Sequence, residues 1–492
     1  MGTSIRLTAG YKLLPLILFS VLMISMSSRA RAQEFEHCPA TVTMPPKATV
    51  SEKILDDVCI PGGFGGNPID FFDDYSWRAF LGLVWPAKAD ERGIPDATAK
   101  LSDKGRPLVF ETFKSDWEIF QPQGAVPAAW NSVGGTNPCK LADLASNDLV
   151  LAAFSKFDNL GQAGFGPPLV GPLVAQNRTY VRYQTAFNKI EFDQIDKDKL
   201  YLRSSLQGTK VLRPGAIDIK AAWIDMTGIV HPERFYTREA YLLDLATDTC
   251  SKTRVGLVGL HIVQKTASRP QWIWSSFEQV DNVLEDHSQT PATFDAGDGV
   301  AMPSGNPYVF PPQIQVPAPF NANRLKAIHE NTKKTNEIYR KMLAETGAPW
   351  QFYKLVVTQW PLSVADPSKD GKPTNTFPGK GSDQTSFANL TMETFDQKSV
   401  GTGCMNCHNA TRERTDFLWS LNTRAFPPIQ AIMAQAMVLD KSVTSLSLPR
   451  RQLKTWANVL PSDNAFKLPP DQLSDFQALK ELMESAQSTP AQ

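Results

Sequence analysis

Cysteine placement constrains this chain more than any other feature. Cys38, Cys59, Cys139 and Cys250 stand far apart, whereas the last two close a tight run, Cys404-Met405-Asn406-Cys407-His408. What thiols do depends on the redox compartment, and the N-terminus bears on that. Arg6 and Lys12 precede an apolar stretch, Leu13–Met26, followed by Ser27-Ser28-Arg29-Ala30-Arg31-Ala32 with its small-x-small ending. Residues 1–32 therefore read as a secretory signal peptide, cleaved after Ala32. As a helix the apolar stretch spans about 21 Å, short of the ~30 Å hydrocarbon core, and no later stretch is longer and as apolar. The expectation is an exported chain, periplasmic or otherwise outside the cytoplasm, with no transmembrane span after cleavage.

In an oxidising compartment the four isolated cysteines imply two disulfides, with three possible connectivities. Cys38–Cys59 with Cys139–Cys250 is preferred, because the first closes a short N-terminal loop. The Cys-x-x-Cys-His run has a different logic. Two thiols three positions apart, on one helical turn, reach the two vinyl groups of one haem and form thioethers. His408 then offers an imidazole nitrogen to the iron. A zinc site would need a second Cys/His pair, and a thioredoxin-like pair would need a compact βαβ setting; neither is present in the sequence. The run resembles the attachment motif of c-type cytochromes. That resemblance implies one covalently bound haem c, with Cys404 and Cys407 as anchors and His408 as the proximal ligand.

Composition bounds the rest. Lys+Arg and Asp+Glu number 50 each, and loss of the leader leaves 46 basic against 50 acidic residues. A mildly acidic chain argues against a nucleic-acid partner, which calls for a basic surface. Ile69–Trp85 has the pattern of a buried helix stopped by Pro86, its aromatics serving the core. Leu200–Leu206, Ala216–Met226 and Phe235–Leu245 alternate near period two, and Val255–Val263 is almost continuously apolar, as a central strand is. A Pro/Gly-rich tract precedes a helix over 323–345, a strand over Tyr353–Trp360, and helices around Ile429–Leu439 and Pro470–Ser485. The fold class expected is α+β, with a β-rich front domain (33–295), a linker or long loop (296–320) and a mostly α-helical, cytochrome c-like haem domain (321–492).

The iron's sixth position decides between electron transfer and catalysis. Met437 or Met433 is the distal candidate downstream of the motif, and Met392 a weaker one upstream. His261, in the apolar strand, and Glu278, after Trp272 and Trp274, are candidates for acid–base work near the iron; if that segment is extended the two tryptophans point the same way. The 271–282 stretch, Thr358-Gln359-Trp360 and the single late Cys-x-x-Cys-His together resemble a group of large, single-haem exported bacterial cytochrome c proteins without an assigned reaction. Dihaem peroxidases and rubber oxygenases carry two such motifs, so their mechanisms do not transfer. The function expected is one-electron transfer to or from a redox partner protein. The alternative is a haem-dependent oxidoreductase, of peroxidase or oxygenase type, acting on a small-molecule substrate at an open sixth position.

Overall fold

A computed structural model describes residues 1–2, 34–145, 147–152, 173–244, 247, 249–283, 291–294, 322–361, 387–394, 404, 408 and 411–428. Most of the expected leader, the 296–320 tract, Cys407, Met433, Met437 and the expected helices around 429–439 and 470–485 lie outside the described residues.

Two short strands, β1 (Phe35–Glu36) and β2 (Ile54–Leu55), pair in parallel near the N-terminus. The remaining strands form one sheet: β3 (Lys114–Ser115), β4 (Leu149–Leu151), β5 (Arg182–Phe187), β6 (Ile217–Asp225), β7 (Thr237–Asp244), β8 (Thr249–Gln264), β9 (Ile273–Gln279) and β10 (Tyr353–Gln359). Its order is β10-β9-β8-β6-β5-β3, with β7 beside the first half of β8 and β4 beyond β7. Only β4 and β7 run parallel within it. The apolar run of β8 is explained by its place. From Val255 onward β6 pairs along one edge, and β9 pairs along the other from Gly259, and residues of both faces are buried there. Residues 249–254 pair only with β7, and most of them are solvent-accessible.

Register sorts the sheet's side chains onto two faces. Ile219, Ile262 and Ser275 lie abreast, as do Ala221, Leu260 and Phe277. That face meets helices α1 (Ile69–Leu83) and α4 (Glu330–Ala344); α2 (Asp116–Ile119) and α3 (Lys189–Lys197) lie between them in sequence. Ser76 Oγ bonds Ser275 Oγ (2.7 Å) and Thr358 Oγ1 (2.8 Å), Trp77 packs edge-on against Phe277, and Asn336 Nδ2 donates to the Leu355 carbonyl. On the opposite face Asp218, Val263 and Trp274 lie abreast, and so do Lys220, His261 and Ser276. Residues 387–394 and the short helix α6 (Trp419–Arg424), which follows another short helix, α5 (Arg412–Thr415), contact this second face. At Gly259 the approach is close enough that a Cβ would come within 2.0 Å of Thr391 Oγ1.

Both expected disulfides form, Cys38–Cys59 and Cys139–Cys250. No helix among the described residues is long and apolar enough to cross a membrane. The described chain is a mixed, sheet-rich protein of strands and helices, and residues on both sides of the 296–320 tract share one sheet and one core. β10 extends the sheet at β9, and Tyr339, Trp350, Phe417 and Leu421 pack in the same cluster as Phe80 and Ile219.

Three local expectations change. Leu200–Leu206 is a turn with one short 3-10 helix at Arg203–Ser205. Alternation there misled because Arg203 is buried: its guanidinium donates to the carbonyls of Pro427 (2.7 Å) and Asn422 (2.6 Å), closing the end of α6. The helix expected from 323 starts at Glu330, where His329 Nδ1 accepts the Asn331 N–H. Trp272 has φ +73°, so it precedes the extended strand that contains Trp274, and the condition for the two rings to project alike is not met.

Candidate functional site

The second face of the sheet opens on a shallow cleft. Its floor is Thr185 of β5, Asp218 and Lys220 of β6, His261 and Val263 of β8 and Trp274 of β9; its far wall is Glu393, His408, Leu418 and residues of α6. Strand alternation supplies the floor, because each of these residues lies two positions from its neighbour on the same strand or directly abreast on the next.

His408 is half-buried, its ring centroid 4.3 Å from that of Trp274. Its Nδ1 lies 2.6 Å from the Phe417 carbonyl oxygen. A carbonyl only accepts, so Nδ1 carries the proton and Nε2 is left with its lone pair, the state in which an imidazole binds a metal. Cys404 is also half-buried, and its N–H donates to Gln359 Oε1 (2.7 Å). Gln359 is the partner of Trp274 in the β9–β10 ladder, so Cys404 and His408 are both held over the same strand pair.

The remaining polar groups of the cleft come from distant parts of the chain. His261 Nε2 is 3.5 Å from Glu393 Oε2, and a Glu393 oxygen accepts the Asn389 N–H. Asp218 accepts from Ser420 Oγ (2.8 Å), and burial pushes its carboxyl up to about 7, against the lowering influence of the Ser420 hydroxyl and Lys220. Arg424 pairs with Asp116 at 2.9 Å.

Of the residues singled out in the sequence, His408 and His261 line this cleft, and Cys404 is held beside the same strand pair through Gln359. Glu278 does not line the cleft. Its carboxylate is fully buried, bonded to Arg324 Nη2 (2.6 Å) and to the Leu390 N–H (2.7 Å), which corrects the expectation of a proton donor. Met392 packs with Tyr183, Ile224 and Val258 in a separate apolar cluster and is core. Cys407, Met433 and Met437 lie outside the described residues. Asp218 and Lys220 carried a faint signal, as polar positions inside an apolar strand; Glu393 carried none, since its role depends on His261, over a hundred residues earlier.

The residues present fit a haem c. The cleft has an imidazole whose Nδ1 meets a carbonyl acceptor and a wall of Trp274, Val263, Leu418 and Trp419, and the Cys404 backbone is tied to Gln359 of the strand pair beneath it. Among the described residues no three of His, Cys, Asp and Glu gather as metal ligands. An iron held by a porphyrin takes at most two axial protein ligands, so this does not bear against the fit. A second, larger cleft lies at the start of β7, lined by Tyr236 and Glu111, whose Oη and Oε1 are 2.9 Å apart, and holds none of these residues. Comparisons with protein-family models, curated proteins and solved structures return no match.

Proposed function

We propose that this chain is an exported monohaem cytochrome c, with Cys404 and Cys407 as thioether anchors and His408 as proximal ligand, that passes single electrons to or from a redox partner. The observation that carries the reading is the bond from His408 Nδ1 to the Phe417 carbonyl, in the residue that ends a Cys-x-x-Cys-His run. When bound, the haem supplies a one-electron ferric–ferrous couple. The chain's own residues orient and insulate: Phe417 fixes the imidazole tautomer, Trp274 packs against the ring, and Leu418 and Trp419 keep water from that side. The two disulfides accord with an oxidising compartment.

One observation favours a second reading, a haem-dependent oxidoreductase of peroxidase or oxygenase type. His261 Nε2 and Glu393 Oε2 lie 3.5 Å apart on the same cleft as His408, within ion-pair reach, and such a pair can hold a proton at Nε2. A reduced absorption spectrum with and without carbon monoxide, beside a pyridine haemochrome, separates the two. One covalent haem per chain and an unmoved Soret band are expected for electron transfer. A prompt shift means an open or weakly held sixth position and favours the oxidoreductase. Purified protein without covalent haem, from a host that attaches haem c, refutes both.

A further inference from the structure

Asp416 and Phe417 are consecutive non-glycine residues with positive φ, +49° and +73°. L-residues adopt this left-handed conformation at a steric cost, and a bulky side chain such as Phe rarely does so. Something must therefore hold the turn. Asp416 Oδ2 accepts from Lys265 Nζ (2.5 Å) and from the Leu212 N–H (2.7 Å), while the Asp416 carbonyl accepts from the Trp272 indole (2.8 Å). Lys265 also donates to the Pro270 carbonyl (2.6 Å), and its ammonium lies over the Trp272 ring. The Lys265 and Asp416 side chains are 2% and 0% exposed.

A buried ion pair is weak as a source of stability, because desolvation offsets much of its attraction; fixing one conformation is its best-attested use. Here the conformation fixed is that of the carbonyl one residue on, which receives the His408 Nδ1 proton. We infer that the Lys265–Asp416 ion pair is a positioning device that aims the Phe417 carbonyl at His408 and so sets the donor strength of the imidazole. The inference rests on the haem reading above. A hydrogen bond from Nδ1–H to an acceptor makes the imidazole a stronger electron donor, which favours the ferric state.

The test is a reductive titration of the holoprotein against a one-electron dye, in wild type, Lys265→Met, Asp416→Asn and the double variant. All three variants are expected to move toward the ferrous state by about tenfold in the exchange equilibrium, about 59 mV upward. Loss of charge alone would act differently: removing the cation lowers the potential, removing the anion raises it, and the double variant nearly cancels. Lys265→Arg, which restores the pair, brings the potential back toward wild type. Because a single substitution leaves one buried charge unpaired and can prevent folding, the double variant, with neither charge, decides the case. Opposed shifts in the single variants, or an unshifted double variant, overturn the inference. Wild-type protein lacking covalent haem overturns the underlying reading instead, and the haemochrome distinguishes that outcome.

Discussion

Asp73→Asn tests whether the seam between α1, α4 and the sheet holds a protonated carboxyl. Asp73 is fully buried; one oxygen accepts from Thr332 Oγ1 (2.7 Å) on α4 and the other from Thr358 Oγ1 (2.8 Å) on β10. Burial pushes its pKa from 3.8 up to about 7, partly opposed by the two hydroxyls and reinforced by Asp70 and Asp74. The folded value thus lies above the unfolded one, so the folded chain keeps a proton that the unfolded chain releases. Its contribution to stability is complete below pH 3.8 and is lost as pH rises to about 7. At about 1.4 kcal/mol per pKa unit the loss is on the order of 4 kcal/mol. Asparagine reaches both hydroxyls without titrating. The stability difference between Asp73→Asn and wild type should therefore be flat well below pH 3.8, climb in favour of the variant between pH 3.8 and about 7, and level off above that. Urea denaturation followed by far-ultraviolet circular dichroism at half-unit steps measures it. A difference that is constant from pH 4 to 8 would falsify the reasoning, because it would mean that the two threonines hold an ionised carboxylate.

Two further outcomes follow from the geometry. Asp218, pushed up to about 7 by burial and lining the cleft with His408, gains a negative charge as pH rises, so under the proposed haem reading the potential should fall through that range; Asp218→Asn should flatten the slope in spectroelectrochemical titrations from pH 5.5 to 8.5. Cys139–Cys250 closes a separation of 111 residues, so replacing both by Ser should lower stability by about 4–5 kcal/mol in denaturant titrations, and a loss below ~1 kcal/mol would show that the ends are already held together by the sheet.

Local signals in the sequence were strong where one physical rule acted alone. The β8 run is apolar because it lies mid-sheet and is buried on both faces, and α1 is aromatic because nearly all of it is buried; periodicity reports both directly. It failed at Leu200–Leu206, where the expected solvent-facing position is a buried arginine that closes the end of α6. It also failed to foresee that the 296–320 tract joins parts of one sheet, since nothing in β10 itself says which strand it will pair with. Cys404 and His408 stand out because a Cys-x-x-Cys-His run is a local pattern. The groups around them do not: Lys265 meets Asp416 across 151 positions, and no local pattern encodes that encounter.

Glu278 carries the wider lesson about charge in this fold. In a strand after two tryptophans it has the chemistry of a proton donor, yet both its oxygens are engaged, one by Arg324 and the other by the Leu390 N–H. Those two partners belong to segments 322–328 and 387–394, which flank β10 in sequence. Asn389 Nδ2 adds bonds to Ser276 Oγ and the Phe277 carbonyl, both 3.1 Å, one residue from the same carboxylate. The 387–394 segment is therefore locked to β9 by directional polar contacts, and it carries Glu393, the partner of His261. Apolar packing alone would tolerate sliding by a residue; a buried carboxylate with two specific donors does not, because every shifted register leaves a charge unpaired. Lys265–Asp416 does the same for the turn that holds His408. The buried ion pairs thus act one step behind the cleft, setting the register of the two segments that form its far wall.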